Sequence, residues 1–288
     1  MKDAHVVFVH ALSPLHAGIG QGVGTVDLPI ARERATGIPY LPGSSLKGSL
    51  RDRAKEKRFS EDVIKTLFGP DTSSAHEHAG SLVVGDARLL LFPVRSLAGV
   101  FAYGTSPFLL KRFQRDLREA EVDNAGEIPE SIPTPSTLNG AYASEESILF
   151  AGEKKVYLED LDLEAEANAA VTQWEEFFAK RTQAPVKGRL LIVHDDLMGF
   201  LLETATEVVA RVRIEDEKKT VARGALWYEE HLPAESLLYT LVLLAPVAAN
   251  GTVQHGKWTQ VQDLFSGVIQ LGGKASVGRG LCTLYWGV

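Results

Sequence analysis

The sequence predicts an α+β fold, and three observations carry the prediction. Apolar runs rich in Val, Leu, Ile and aromatic residues mark strands at 5–12, 81–92, 189–193, 237–244 and 281–286. Helical spacing marks 45–57, and again 258–270, where Val261, Leu264, Phe265 and Val268 recur after Lys257. The resulting order of strand, helix, paired strands, helix, strand is that of a ferredoxin-like (RRM-like) core. With 45% hydrophobic residues in 288, the chain can bury a sizeable core, and 1–288 reads as one elaborated domain.

Taken in order, the first strand runs into Pro14-Leu15-His16-Ala17-Gly18-Ile19-Gly20-Gln21-Gly22-Val23-Gly24. Glycines at alternating positions strip side chains from this loop, so a mobile backbone can pass close to a large ligand such as a nucleic acid. Pro42-Gly43-Ser44-Ser45 then reads as a helix start, with Ser44 or Ser45 as N-cap and Lys47 in the first turn, where free N–H groups attract anions. Two insertions interrupt the core. Residues 96–187 read as a peripheral helical and irregular lobe, with an amphipathic helix at 106–120, a proline-rich linker at 128–135 and a second helix at 165–180. Residues 206–230 read as a projecting β-hairpin, two apolar-rich strands around the charged turn Glu215-Asp216-Glu217-Lys218-Lys219. The last strand follows Gly272-Gly273-Lys274-Ala275 and holds the single cysteine, Cys282, which reads as a buried apolar group in a reducing compartment.

The net charge of −7 argues at first against a nucleic-acid partner, but its distribution does not. Residues 31–58 hold eight basic and three acidic side chains, a balance of +5, whereas 121–170 hold twelve acidic and two basic, a balance of −10. Opposite faces of this kind suit stacking against copies of the same chain beside a basic groove for RNA, or simply two solvated surfaces. No opening run approaches the roughly 18 apolar residues that span a bilayer, and 6–9 is too short for a signal peptide, so a cytoplasmic protein without a membrane partner is expected.

Several motifs fail. Gly272-Gly273-Lys274-Ala275 lacks both the glycine spacing and the hydroxyl of a phosphate-binding P-loop, and no glycine set follows the dinucleotide spacing. His76-Glu77-His78 near Asp71 reads as a solvated loop before it reads as a metal site, and His194-Asp195-Asp196 as a strand end or helix cap. Asp27, taken alone, reads as a turn or cap residue.

The succession from His16 through Val26-Asp27-Leu28-Pro29-Ile30, Arg32, Thr36-Gly37 and Pro42-Gly43-Ser44-Ser45-Leu46-Lys47-Gly48 resembles the RAMP superfamily of CRISPR ribonucleoproteins. Within it, the wording is similar to the backbone (fourth) subunit of the type III-B Cmr effector complex, with the type III-A Csm system a related alternative. The glycine-rich run 270–280 resembles the loop that closes RAMP domains, so the resemblance brackets the chain. It implies a ferredoxin-like palm with the hairpin as a thumb, and a subunit that binds crRNA and cuts complementary single-stranded target RNA at regular intervals. The partners it implies are copies of itself in a helical filament and other Cmr subunits.

For the site, the resemblance implies Asp27 as the catalytic residue and as ligand to Mg²⁺ or Mn²⁺, with the target's own 2′-hydroxyl as nucleophile. His16 is a candidate proton carrier, and Glu229 or Glu230 a loosely matched catalytic carboxylate that reads equally as a cap. RNA binding is expected from Ser44, Ser45, Lys47, Arg51, Arg213, Gly273, Lys274 and Arg279. A non-catalytic crRNA scaffold and a metal-independent guide-processing endoribonuclease are the other readings of the same residues.

Overall fold

The computed structural model describes residues 4–22, 24–70, 79–122, 127–215, 221–249, 252–254 and 256–287. The palm opens with β1 (Ala4–Ala11), followed by the short β2 (Tyr40–Leu41), α1 (Gly43–Glu56) and α2 (Glu61–Phe68). Next come β3 (Leu82–Val84) and β4 (Ala87–Arg95), then the insertion with β5 (Phe101–Thr105), α3 (Pro107–Glu119), β6 (Gly140–Ala143), β7 (Lys155–Leu158), β8 (Leu161–Ala167) and α4 (Ala169–Arg181). Two further elements, β9 (Leu190–Val193) and α5 (Asp195–Thr204), lead to the hairpin β10 (Glu207–Ile214) and β11 (Val221–His231). The chain closes with β12 (Leu237–Leu244), the small pair β13 (Val247–Ala249) and β14 (Thr252–Gln254), α6 (Trp258–Leu264), β15 (Gly267–Gln270) and β16 (Leu281–Trp286).

Strands β16, β1, β12 and β4 lie side by side in that order with every neighbouring pair antiparallel, which is the arrangement of the ferredoxin-like core expected from the sequence. β1 is central and pairs with β12 from Ala4↔Leu243 to His10↔Leu237 and with β16 from Val7↔Trp286 to Ala11↔Cys282. Its side chains alternate between two cores. Val7, Val9 and Ala11 join Leu46 and Leu50 of α1 and Val261 and Leu264 of α6, while Val6 and Phe8 join Phe113 of α3 and Trp174 and Phe178 of α4. Burial on both faces explains why β1 reads as an unbroken apolar run.

The insertion differs from the helical and irregular lobe expected at 96–187. It holds the two helices, but also strands β5 to β8, and β5, β9, β6, β8 and β7 extend the central sheet beyond β4. Helices α3 and α4 then fold back to cover the palm's second face, with Phe113 edge-on to Tyr239 of β12 at 4.8 Å. The expected helix at 165–180 starts only at Ala169, because 161–167 is strand β8 and Asn168 caps α4 by accepting from the Ala170 amide at 2.9 Å.

Three further boundaries differ from expectation. Residues 81–92 form two strands, since Gly85 and Asp86 leave the ladder between β3 and β4. The expected helix at 258–270 stops at Leu264, as Gly267 takes φ +73° and opens β15. Ser44 and Ser45 are not caps: Pro42 precedes the first helical residue, Gly43, whose amide instead donates to Asp86 Oδ1 at 2.7 Å. By contrast, His194 does cap α5, its Nδ1 accepting from the Asp196 amide at 3.2 Å. Cys282 is buried on β16, and burial pushes its thiol up to about 12. The His76-Glu77-His78 motif and Asp71 lie outside the described residues.

Candidate active site and RNA-facing surface

The hairpin β10–β11 forms its own two-stranded sheet, and adjacent residues of β11 leave it on opposite faces. Val208, Val212, Ile214, Leu226 and Tyr228 are exposed apolar side chains gathered on one face. Arg213 is exposed on β10. At the base of the hairpin the segment 27–30 is stitched alongside β11: the Leu28 amide donates to the Tyr228 carbonyl at 3.0 Å, and the Glu230 amide to the Leu28 carbonyl at 3.0 Å.

Asp27 sits at this seam and is exposed. Its Oδ2 accepts from the Tyr228 amide at 2.8 Å, while its backbone carbonyl accepts from Gly22 at 2.9 Å. One carboxylate oxygen is therefore fixed against the hairpin, and Oδ1 has no partner among the described residues.

The loop expected to be mobile is half built in. Leu15, His16 and Ala17 are buried, with Leu15 bridged to Leu232, and His16 to Gly273. His16 is thus not presented to solvent. Its Nδ1 lies 2.8 Å from the Glu230 carbonyl, an acceptor, so Nδ1 carries the hydrogen. A methyl group on Gly18 would come within 2.5 Å of His16 Nε2, so glycine is what lets the loop close over the ring. Gly272 has the same role from the far side: it takes φ +69°, and a Cβ there would meet the His16 carbonyl oxygen at 2.5 Å.

Glu229 and Glu230 are both buried and both fully engaged. Glu229 Oε1 receives Lys274 Nζ at 2.7 Å and Trp227 Nε1 at 2.8 Å, and Oε2 faces Arg211 Nε at 3.4 Å. Burial pushes its carboxyl up, but the Lys274 and Trp227 hydrogen bonds and the charges of Lys274 and Arg211 outweigh it and hold the group at about 2. Glu230 binds Arg32 and accepts from Thr206 Oγ1 at 3.0 Å and from the Ile30 amide at 3.1 Å. His231 is completely buried beside His16, ring centroids 5.3 Å apart, with its Nε2 3.9 Å from Glu229 Oε2. Burial, then the charges of Arg279 and His16, pulls it down to about 4, so it is neutral.

The cations expected to meet phosphate are more constrained than the sequence suggests. Lys274 is held by Glu229, and Arg279 by Glu207 of β10 at 3.2 Å, so both pin the closing loop to the hairpin base. Lys47 donates to the Leu82 carbonyl at 2.7 Å, and burial, then Arg51, lowers its pKa. Arg51 donates to the Pro70 carbonyl at 3.3 Å. Ser44 is exposed on the first turn of α1, with Ser45 half-buried next to it. Gly273 donates its amide to the His16 carbonyl at 2.9 Å. The structure thus brings Asp27, His16, Glu229, Gly273, Lys274 and Arg279 into one region around the hairpin base. Lys47, Ser44, Ser45 and Arg51 belong to α1.

Sequence reasoning named Glu230 only as an alternative to Glu229, and it missed Arg32 and His231 as parts of the site. Arg32 was visible as part of the Arg-x-x-x-Thr-Gly wording, but its partner lies 198 residues away. His231 carried no signal beyond its place at the end of an apolar-rich strand.

A divalent cation has little to hold it in the chain alone. Among the described residues no group of three or more His, Cys, Asp and Glu side chains could hold a metal. Glu229 and Glu230 are spent, which leaves Asp27. A single carboxylate fits a magnesium-type ion only where phosphate oxygens of a bound RNA complete the shell.

Known proteins resemble the chain along nearly all of its length. The signature of the RAMP superfamily matches residues 8–283. The CRISPR system Cmr endoribonuclease Cmr4 of Pyrococcus furiosus is 43% identical over 286 residues, 96% of this chain and 93% of that protein. Oligomeric Cmr4 from Pyrococcus furiosus superposes with a TM-score of 0.73 at 33% identity, covering 98% of this chain and 96% of that one. A chain of the type III-B Cmr-beta complex bound to cognate target RNA superposes at 0.76 with 24% identity, over 99% and 97%, a likeness of fold alone.

Proposed function

The chain belongs to the RAMP superfamily, and from that premise we propose that it is a repeating backbone subunit of a type III-B CRISPR ribonucleoprotein. In this reading it binds crRNA along a filament of its own copies, together with other Cmr subunits, and cuts complementary target RNA at one position per copy. The relative of 43% identity is named an endoribonuclease, which supports RNA cleavage in general. The observation that carries the reading is Asp27: an exposed carboxylate fixed through one oxygen to the hairpin base, with the other turned free.

In the reaction we propose, the 2′-hydroxyl oxygen of the target attacks the adjacent phosphorus and the bond to the 5′-oxygen breaks. The 2′-hydroxyl proton passes to solvent, and the leaving oxygen takes a proton from it. The exposed apolar face of the hairpin suits contact with an unstacked base, which would free the linkage beside Asp27 for in-line geometry. Asp27 is the proposed protein ligand for Mg²⁺ or Mn²⁺, shared with RNA phosphate oxygens; when bound, such an ion supplies charge neutralisation at the scissile phosphate. His16 and Glu229 act as positioning residues, because the imidazole is closed under Gly18 and the carboxylate is fully paired. His16 ties loop to hairpin through the Glu230 carbonyl, and Glu229 ties the hairpin to the closing loop through Lys274.

The test is an assembled complex given a complementary RNA. Asp27→Ala should assemble and bind target as the unaltered protein does, with cleavage slowed by about a thousandfold or more. Undiminished cutting would remove Asp27 from the mechanism. Chelation with EDTA should stop cutting without releasing target, and cutting that persists in EDTA would remove the metal while leaving Asp27 in place. If the unaltered complex yields no regularly spaced products, the chain is a crRNA scaffold.

A further inference from the structure

Away from Asp27, an open cleft of about 520 Å³ between α3 and the β2–β4 pair is lined by Arg32, Arg34, Arg88, Arg112 and Arg115. The carboxylates on or beside it are already spent. Glu33 accepts from Arg112 at 2.8 and 2.9 Å, and Asp86 serves the Gly43 amide at the start of α1. Asp116 lies between Arg88 and Arg115 and also accepts from Tyr239 at 2.8 Å. Arg32 belongs to Glu230.

Positive charge is left over after this pairing. Arg34 is exposed and has no partner among the described residues, and two guanidiniums share the one carboxylate of Asp116. Arg112, only 6% exposed, keeps an unpartnered Nε. Five guanidiniums thus face the four carboxylates of Glu33, Asp86, Asp116 and Glu230, a positive surplus that suits an anion. Guanidinium forks match phosphate oxygens in pairs.

Two further features narrow the anion. Tyr40 and Phe108 share the cleft walls, and Phe108 is 43% exposed, which gives ring faces for bases between the phosphate-binding forks. Arg32 connects the cleft to the hairpin base, since it pairs with Glu230, whose amide bonds the residue next to Asp27. An acidic segment of a second copy offers fewer free carboxylates than its sequence suggests, because four of them are paired at home: Glu127 with Lys180 and Arg181, Glu166 with Lys154, Asp162 and Glu164 with Lys155.

We infer that this arginine-lined cleft binds successive phosphodiesters of single-stranded RNA, with Tyr40 and Phe108 as base-stacking surfaces. The inference rests on the RNA-binding part of the proposed function and adds a site to it.

The experiment titrates the full chain with labelled oligouridine by fluorescence anisotropy over a range of salt, with sedimentation velocity in parallel. The double substitution Arg34→Gln, Arg115→Gln should weaken binding by about tenfold and make the log–log salt dependence shallower by about 1.4, from about 0.7 per phosphate. Arg34→Glu alone should also weaken binding, and it removes no internal contact, so a folding defect in the double variant leaves the test intact. Affinity and salt slope equal to those of the unaltered chain, or no oligouridine binding by that chain at all, would overturn the inference. So would variants that bind RNA normally but lose self-association, since the occupant is then a second copy. Asp27 is untouched throughout. RNA held by the cleft but never cut contradicts the nuclease alone, and cleavage with unaltered cleft binding contradicts the cleft alone.

Discussion

Glu229 shows how a charged residue becomes structural at the base of a two-stranded hairpin. Its carboxylate is 2% exposed, yet two hydrogen-bond donors and the charges of Lys274 and Arg211 keep it ionised. Replacing it with glutamine keeps the shape and strips the charge, which leaves the half-buried Lys274 against a neutral amide. We expect Glu229→Gln to cost on the order of 2–3 kcal/mol in urea unfolding at neutral pH. A midpoint unchanged from the parent chain would mean that the cluster adds nothing to stability. Because this carboxyl is lower in the fold than in the unfolded chain, its stabilisation is present above about 4.5 and fades as pH falls toward about 2. His231 acts in a milder range. Its folded value of about 4 lies below the ordinary histidine value of 6.5, so the unfolded chain binds the proton more readily, and stability present above 6.5 is lost as pH falls toward 4. The loss should reach roughly 3 kcal/mol at the bottom of that window. Unfolding of His231→Phe followed at pH 7 and pH 4.5 should show this part of the pH dependence gone; equal slopes in variant and parent would assign it to other groups.

At the scale of elements, capping is delegated across the fold. Two serines stand at the start of α1, but the first helical amide is served by Asp86, at the break between β3 and β4. Asp86→Ala should therefore lower stability by about 1 kcal/mol, whereas Ser44→Ala, at an exposed position outside any cap, should change it by less than about 0.5 kcal/mol, both read from denaturant midpoints. The same delegation explains what was legible in the sequence. Palm strands and α1 announce themselves through apolar runs and local spacing, and β1, β12 and β16 fall within a residue of expectation. The break at Gly85 and Asp86 was hidden because its cause is an amide 43 residues upstream. Strand β8 was missed despite a usable signal, the alternation of apolar and acidic residues in Leu161-Asp162-Leu163-Glu164-Ala165-Glu166-Ala167. In the candidate site, Asp27 and the glycines were visible as residue types in a recognisable order. The pairing that ties up Lys47, Lys274 and Arg279 was not, because each partner lies at least 35 residues away.

For the molecule as a whole, formal charge is a poor guide to which cations are free. Lysines and arginines counted in the sequence turn out to be internal struts around the hairpin, and the surplus collects instead between α3 and β4. The central sheet has a second consequence, for synthesis. Both edges of β1 are covered only by β12 and β16, which begin more than 220 residues later. A nascent chain thus carries this buried strand with both hydrogen-bonding rims open until β12 and β16 have been made. Such distant pairing is slow to form and exposes the emerging polypeptide to sticky encounters with its neighbours. Shielding of β1 during translation would therefore favour recovery of the folded chain.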